Sequence, residues 1–230
     1  MSSRMDTFVA AAIGAAAIVM TASLIKSTWF ATPRTPPDLT LPVSEISRAD
    51  WNEVISISER VHGDESDSIV VIVFTDFECP ACRAFDTRLT AALTPDVQVR
   101  LAHFPLAMHR FAKPAARAFE CARIVGGAAR FAATTFEKQD SLGIISWGEL
   151  ARRAEISDTL EIARCAMSPN PVDRISAGER LGERLGVSGT PTVFVNQRNL
   201  GSPSTAVLSK AIAGVDLQGS ITTAVPRKVR

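Results

Sequence analysis

Six consecutive apolar residues, Ile69 to Phe74, run through four intervening residues into Cys79-Pro-Ala-Cys82, and no other junction in the chain restricts its fold as much. A β-branched run of this length is what a strand buried on both faces requires, because a half-exposed strand would alternate with polar residues. Beyond the cysteines, Ala84, Phe85, Leu89, Ala92 and Leu93 recur at helical spacing as far as Pro95. The segment therefore predicts a central strand, a short loop and a helix opened by the cysteine pair. Pro80 suits a first helical turn, where its missing N–H costs nothing. Cys79 falls near the cap, where free N–H groups and the helix dipole favour an anion. Two thiols so placed can close a small ring. An exposed first thiolate can attack a substrate disulfide, and the second sulfur then resolves the mixed disulfide. The pattern points to dithiol–disulfide exchange. Half of a zinc site and a buried structural pair are the competing readings. No second C-x-x-C or close histidine pair supplies further ligands, so neither a metal centre nor a bound cofactor is expected.

At 230 residues, with 46% hydrophobic and 21% charged residues, the chain reads as one decorated folded domain. Lys plus Arg is 25 against Asp plus Glu 24, which argues against a nucleic-acid binder relying on global basic charge. From Thr7 to Ile25 no residue is charged. A helix over that run would be about 28 Å long, close to the hydrocarbon thickness of a bilayer. Trp29 suits a membrane interface better than a cleavage site, so an uncleaved anchor in contact with membrane lipid is favoured over a signal peptide or a buried helix. Pro33, Pro36, Pro37 and Pro42 then mark an extended stalk or a plain connector. The expected organisation is an anchor over 1–30, a linker over 31–48, a globular domain over 49–215 and a tail over 216–230.

Far downstream, Val187-Ser-Gly-Thr-Pro191 leads into Thr192-Val-Phe-Val195 and a turn over Asn196 to Gly201. The order is loop, proline, strand. With this segment, Phe74-Thr-Asp-Phe-Glu-Cys-Pro-Ala-Cys82, and His103-Phe-Pro-Leu106 followed by His109, the chain resembles the thioredoxin superfamily. The similarity is to the DsbA-like thiol:disulfide oxidoreductases of bacterial cell envelopes, and it extends over about residues 69 to 213. The resemblance implies an α/β thioredoxin fold with an inserted helical subdomain at about 108–185. It implies Cys79 as nucleophile and Cys82 as resolving thiol. Pro191 would be a cis-proline facing them, and Thr190 would offer backbone groups to an extended substrate. An ordinary trans-proline opening a strand is the alternative. Two departures stand out. Val73 occupies the position, six residues before Cys79, where similar proteins often bury a carboxylate that moves the second thiol's proton. Ala81 stands where some relatives carry a histidine. Asp76 and Glu78 are expected to be exposed loop acids rather than substitutes. These departures predict a weaker oxidant than such relatives.

Within the insertion, helices are expected at Phe111–Val125, Gly127–Lys138, Trp147–Ala154, from Asp158 with Glu161 as a capping-box partner, and at about 172–185 ending on Gly186. Cys121 and Cys165 fall on two of them and are either bonded or two buried thiols. In an oxidising compartment the bond is favoured, and only that pairing leaves Cys79 and Cys82 to each other. His62, His103 and His109 read as structural or surface residues, with His109 the one nearest the active face by resemblance. The leading expectation is a single-pass, extracytoplasmic (periplasmic) bacterial enzyme that oxidises cysteine-containing envelope or secreted polypeptides. By resemblance, a quinone-linked integral-membrane thiol oxidase would recycle it. A reductase or isomerase would use the same pair, and a chaperone-like binding module would not need it.

Overall fold

Strand β3 (Ile69–Thr75) lies inside a six-stranded sheet, hydrogen-bonded on one side to β4 (Val97–His103) in parallel and on the other to β5 (Thr192–Val195) antiparallel. The computed structural model describes residues 44–170 and 172–214, so the expected anchor, most of the linker and the C-terminal tail lie outside the described residues. Among the described residues no helix is long and apolar enough to cross a membrane. The sheet is completed by β1 (Ser44–Glu45), β2 (Glu59–His62) and β6 (Arg198–Gly201), in the order β1-β6-β5-β3-β4-β2. Ser44 and Glu45, at the end of the segment read as linker, pair with Asn199 and Arg198.

The period-two alternation along β3 sends side chains to two separate cores, which is why its sequence is apolar without interruption. Val71 and Val73 pack with Phe85 and Leu89 of helix α2 (Pro80–Ala92) and with Leu208 and Ile212 of helix α8 (Thr205–Ile212). Ile72 and Phe74 pack on the other face against Trp51 and Val54 of helix α1 (Arg48–Ile57) and Leu181 of helix α7 (Asp173–Arg184). Between β4 and α7 come α3 (Ala112–Ile124), α4 (Ala128–Glu137), a 3-10 turn (Gln139–Ser141), α5 (Trp147–Arg153) and α6 (Thr159–Ala166). These helices extend the first core through Phe119, Phe131, Phe136 and Leu150.

Helix limits match the sequence reading to within a residue or two, but the capping box does not form. Asp158 sits at the N-cap with ψ 52 rather than in extended conformation, and its side chain makes no capping bond. Glu161 instead pairs with Arg164 at 2.8 Å. Helix α7 does end on a glycine, Gly186 at φ +76, a conformation that only glycine adopts without strain. Helix α7 also meets β4 backbone to backbone. A Cβ on Gly178 would come to 2.3 Å from the His103 carbonyl oxygen, so a side chain there is excluded. Cys121 of α3 and Cys165 of α6 are joined by a disulfide with Cα atoms 6.0 Å apart. Closing a 44-residue separation contributes about 4 kcal/mol in the chain-entropy picture.

Charge is buried where the insertion meets the sheet. His103 and Glu120 are 2% and 3% exposed, and the His103 Nε2 donates to Glu120 Oε1 at 2.9 Å, since an ionised carboxylate can only accept. The second oxygen accepts from Arg123 Nε at 2.7 Å and lies 3.2 Å from Arg174 Nε. Burial by itself would raise the Glu120 pKa. The hydrogen bond and charge of His103, with those of Arg123 and Arg174, outweigh it and hold the carboxyl at about 2. A depressed carboxyl stabilises the fold above its unfolded value, and that contribution is lost as pH falls through about 4.5 towards about 2. Glu120→Gln is therefore expected to cost about 2–3 kcal/mol at pH 7 and to flatten the acid limb of the stability profile. Urea unfolding between pH 2 and 7 checks this; wild-type and variant curves that run parallel would contradict it.

Candidate active site

The loop between β3 and α2 carries the chemistry. Cys79 is the N-cap of α2 (φ −74, ψ 118), Pro80 follows at the first helical position, and no acidic side chain occupies the first turn. The Cys79 carbonyl accepts from Cys82 N at 3.0 Å and Arg83 N at 3.3 Å, so the helical ladder starts at this residue. A sulfur at such a cap lies at the positive end of the helix dipole, which favours a thiolate.

Opposite the helix start, the loop before β5 brings in Thr190, 111 residues away in the chain from Cys79, and Pro191 after it. The Thr190–Pro191 peptide bond is cis. The Cys79 thiol donates to the Thr190 carbonyl oxygen at 3.3 Å. Cys79 is thereby more covered than the sequence suggests: it is 6% exposed, because the proline loop lies over it. Cys82 is deeper, at 2%. Burial pushes the Cys82 thiol up to about 12, and the nearby polar groups of the Asp76 backbone and the Thr75 and Thr190 side chains offset only part of that. The Thr190 hydroxyl is itself buried without a hydrogen-bond partner of good geometry. The group it can serve is the Cys82 sulfur, whose charge it would stabilise. The two thiols thus differ in kind: one sits at the helix cap beneath the loop, the other is held protonated beside it. Such a pair can attack, be attacked and close a disulfide.

The flanking acids are not the exposed loop residues that the sequence leads one to expect. The Asp76 side chain is fully buried, and its carboxylate is satisfied three times. It accepts from Glu78 N at 2.8 Å, Leu106 N at 2.8 Å and His109 Nδ1 at 2.7 Å. The Asp76 carbonyl also accepts from Cys79 N at 3.1 Å. Glu78 is half-buried and accepts from Phe111 N at the start of α3. These bonds explain why charge is tolerated here: each oxygen has a donor, and the loop after β4 is pinned to the loop before α2. His109, 33 residues from Asp76, is the site residue that spacing alone could not find. Val73, buried in the first core among apolar side chains, offers no carboxylate to the cysteines. His103 stays with Glu120, and His62 is exposed on β2. Asp76→Ala would strand two backbone donors and the imidazole, and should cost about 2–4 kcal/mol in denaturant unfolding. A loss under about 0.5 kcal/mol would show that the network is replaceable by water.

A family model described as Thioredoxin matches residues 56–213, about two-thirds of the chain. Among solved structures, BdbD from Bacillus subtilis in its oxidised form aligns over 77% of this chain and 98% of its own, at TM-score 0.63 and 18% identity. A thioredoxin-like oxidoreductase from Silicibacter pomeroyi aligns over 73% and 96%, at TM-score 0.60 and 21% identity. DsbA2 of Pseudomonas aeruginosa aligns over 67% and 93%, at TM-score 0.52 and 26% identity. Among curated proteins, the Na(+)/H(+) antiporter NhaA 1 of Salinispora arenicola is 30% identical over 167 residues, which is 67% of this chain and 24% of the antiporter. NhaA 3 of Salinispora tropica is 32% identical over 166 residues, again 24% of the antiporter. The chain thus spans about a quarter of the curated relatives it matches. With a cysteine pair at the start of the helix that follows a central strand, and a cis-proline loop facing it, the chain belongs to the thioredoxin family.

Proposed function

We propose that this chain works outside the cytoplasm, tethered to the bacterial cell membrane, and introduces disulfides into cysteine-containing envelope or secreted polypeptides. The observation that carries this reading is the cap position of Cys79, with its sulfur 3.3 Å from the Thr190 carbonyl and a buried Cys82 beside it. In the oxidised enzyme, a substrate thiolate attacks the Cys79 sulfur and the Cys79–Cys82 bond breaks. Cys82 leaves with the electron pair and takes up a proton. A second substrate thiolate then attacks the substrate sulfur of the mixed disulfide, and Cys79 departs as the thiolate that a helix cap favours. The substrate loses two electrons and the enzyme becomes the dithiol. A thiol held protonated up to about 12 is slow to attack the mixed disulfide in the reverse sense, which leaves time for the second substrate cysteine.

The backbone at Thr190 and Pro191 serves the polypeptide. An extended substrate segment takes over the Thr190 backbone in strand fashion when the Cys79 thiol no longer holds its carbonyl. The uncharged run Thr7–Ile25 supports the tether and the extracytoplasmic setting. A quinone-linked integral-membrane thiol oxidase fits the need for a two-electron acceptor. Val73 and Ala81 in place of proton-handling side chains support a milder oxidant.

In intact cells, thiol trapping should find Cys79 and Cys82 mainly disulfide-bonded, and the Cys82→Ser variant should accumulate mixed disulfides through Cys79. A predominantly dithiol pair would overturn the oxidase direction in favour of a reductase. Full cellular function with both cysteines changed to Ala would favour a holding role instead. A glutathione titration should place the potential below about −120 mV, and a value as high as that would refute the milder-oxidant reading.

A further inference from the structure

Gln139 takes no part in the exchange just described, yet its side chain reaches the nucleophile's own backbone. It opens the 3-10 turn that follows α4 and is 6% exposed. Its Nε2 donates to the Phe77 carbonyl at 2.8 Å and to the Cys79 carbonyl at 3.0 Å, across 62 and 60 residues of chain. Both partners are acceptors only, so the amide orientation is unambiguous and both of its hydrogens are used. The Phe77 carbonyl precedes the helix and has no place in its ladder. The Cys79 carbonyl begins the ladder and already accepts from Cys82 N and Arg83 N. Around this fork, Asp140 pairs with Arg83 at 2.7 Å and the Phe136 ring lies 5.0 Å from that of Phe77.

We propose that Gln139 is a positioning residue for disulfide exchange: its carboxamide fixes the two carbonyls that bracket the active-site loop and so sets where the Cys79 sulfur points. The proposal rests on Cys79 being the nucleophile. The two held peptide planes, Phe77–Glu78 and Cys79–Pro80, bracket Glu78 and Cys79 and leave the Cα–Cβ direction of Cys79 little freedom relative to Thr190 and Cys82. The amide hydrogens also place fixed positive partial charge beside a residue that must carry an anion, at no cost in reorganisation. The helical insertion thereby acts on the chemistry, since the residue that orients the sulfur belongs to it and not to the thioredoxin core.

The test uses the full-length chain with Gln139→Met, which keeps length and volume but donates nothing, and Gln139→Glu, which keeps the shape. Three quantities are read: the alkylation rate of Cys79 from pH 5 to 8, the equilibrium with glutathione, and the thermal midpoint. Gln139→Met is expected to slow Cys79 alkylation at pH 7 by about 3- to 10-fold and to shift the glutathione equilibrium by a similar factor. Gln139→Glu is expected to be slower still at pH 8 and to regain ground relative to wild type at pH 5, where a protonated carboxyl again donates to one carbonyl. A residue that merely supports the fold would lower the midpoint and leave the rate ratio and its pH dependence unchanged; rates and equilibria within twofold of wild type overturn the proposal. Should neither variant fold, the side-chain amide resonance of Gln139 in the wild-type chain decides. A shift on oxidation of Cys79 and Cys82 supports the proposal, and an unmoved resonance overturns it. Failure of the exchange reading itself would look different: an otherwise wild-type Cys82→Ser chain would form no mixed disulfide. Failure of the Gln139 proposal alone would leave mixed-disulfide formation at its normal rate in a chain that also carries Gln139→Met.

Discussion

The meeting of one helix start with one loop organises this molecule: the Cys79 sulfur, at the cap of α2, lies against the Thr190 carbonyl that precedes Pro191. Neither partner can reach that place alone. The cap is delivered by β3, whose seven residues are locked between β4 and β5, and the loop is delivered by β5 on the neighbouring track of the same sheet. Because β3 is packed on both faces, its end point is fixed to the tolerance of a close-packed core. The cysteine that follows inherits that precision. The strand is buried so that the sulfur after it has only one position.

The helical insertion closes the arrangement from a third side. It contributes the Phe119 and Phe136 rings against Phe77, the Phe111 N–H to Glu78, and the Gln139 carboxamide to the loop carbonyls. It is tied to the sheet by the His103–Glu120 pair and clipped within itself by Cys121–Cys165. Buried charge of this kind adds little net stability compared with a well-packed apolar substitute, and its value lies in direction, because each polar atom accepts only one arrangement of neighbours. The same holds for Asp76, whose three donors come from two loops and leave the active-site turn no second conformation of equal quality.

Much of this was legible in the linear chain, and the rest was not, for a physical reason. Local pattern carries the β3 run, the Pro80 position, the helical spacing after it and the Gly186 stop, since each is decided within a few residues. The strand β2, the short β1 and helix α1 have weaker periodicity and become visible only against the sheet that they complete. Asp76 looked like a loop acid because acids near turns usually face water. Its burial depends on His109 and Leu106, more than thirty residues on in the chain or close to it, and no spacing rule links them. Gln139 had no signal at all, as a glutamine in a polar turn is indistinguishable from any other until its carbonyl partners are seen. Cys79 was expected to be open to solvent, whereas the proline loop covers it, a fact that belongs to the pairing of β5 with β3.

The central claim is that fold geometry, and not sequence neighbourhood, makes two cysteines three residues apart into chemically different groups. Alkylation of the reduced, native full-length chain at pH 7, followed by peptide mass spectrometry, tests it most directly. With its thiol pushed up by burial, Cys82 stays almost wholly in the thiol form at that pH. The account therefore predicts label on Cys79 alone, with Cys82 taking label only after unfolding; equal rates of labelling at the two sulfurs in the folded protein would contradict it.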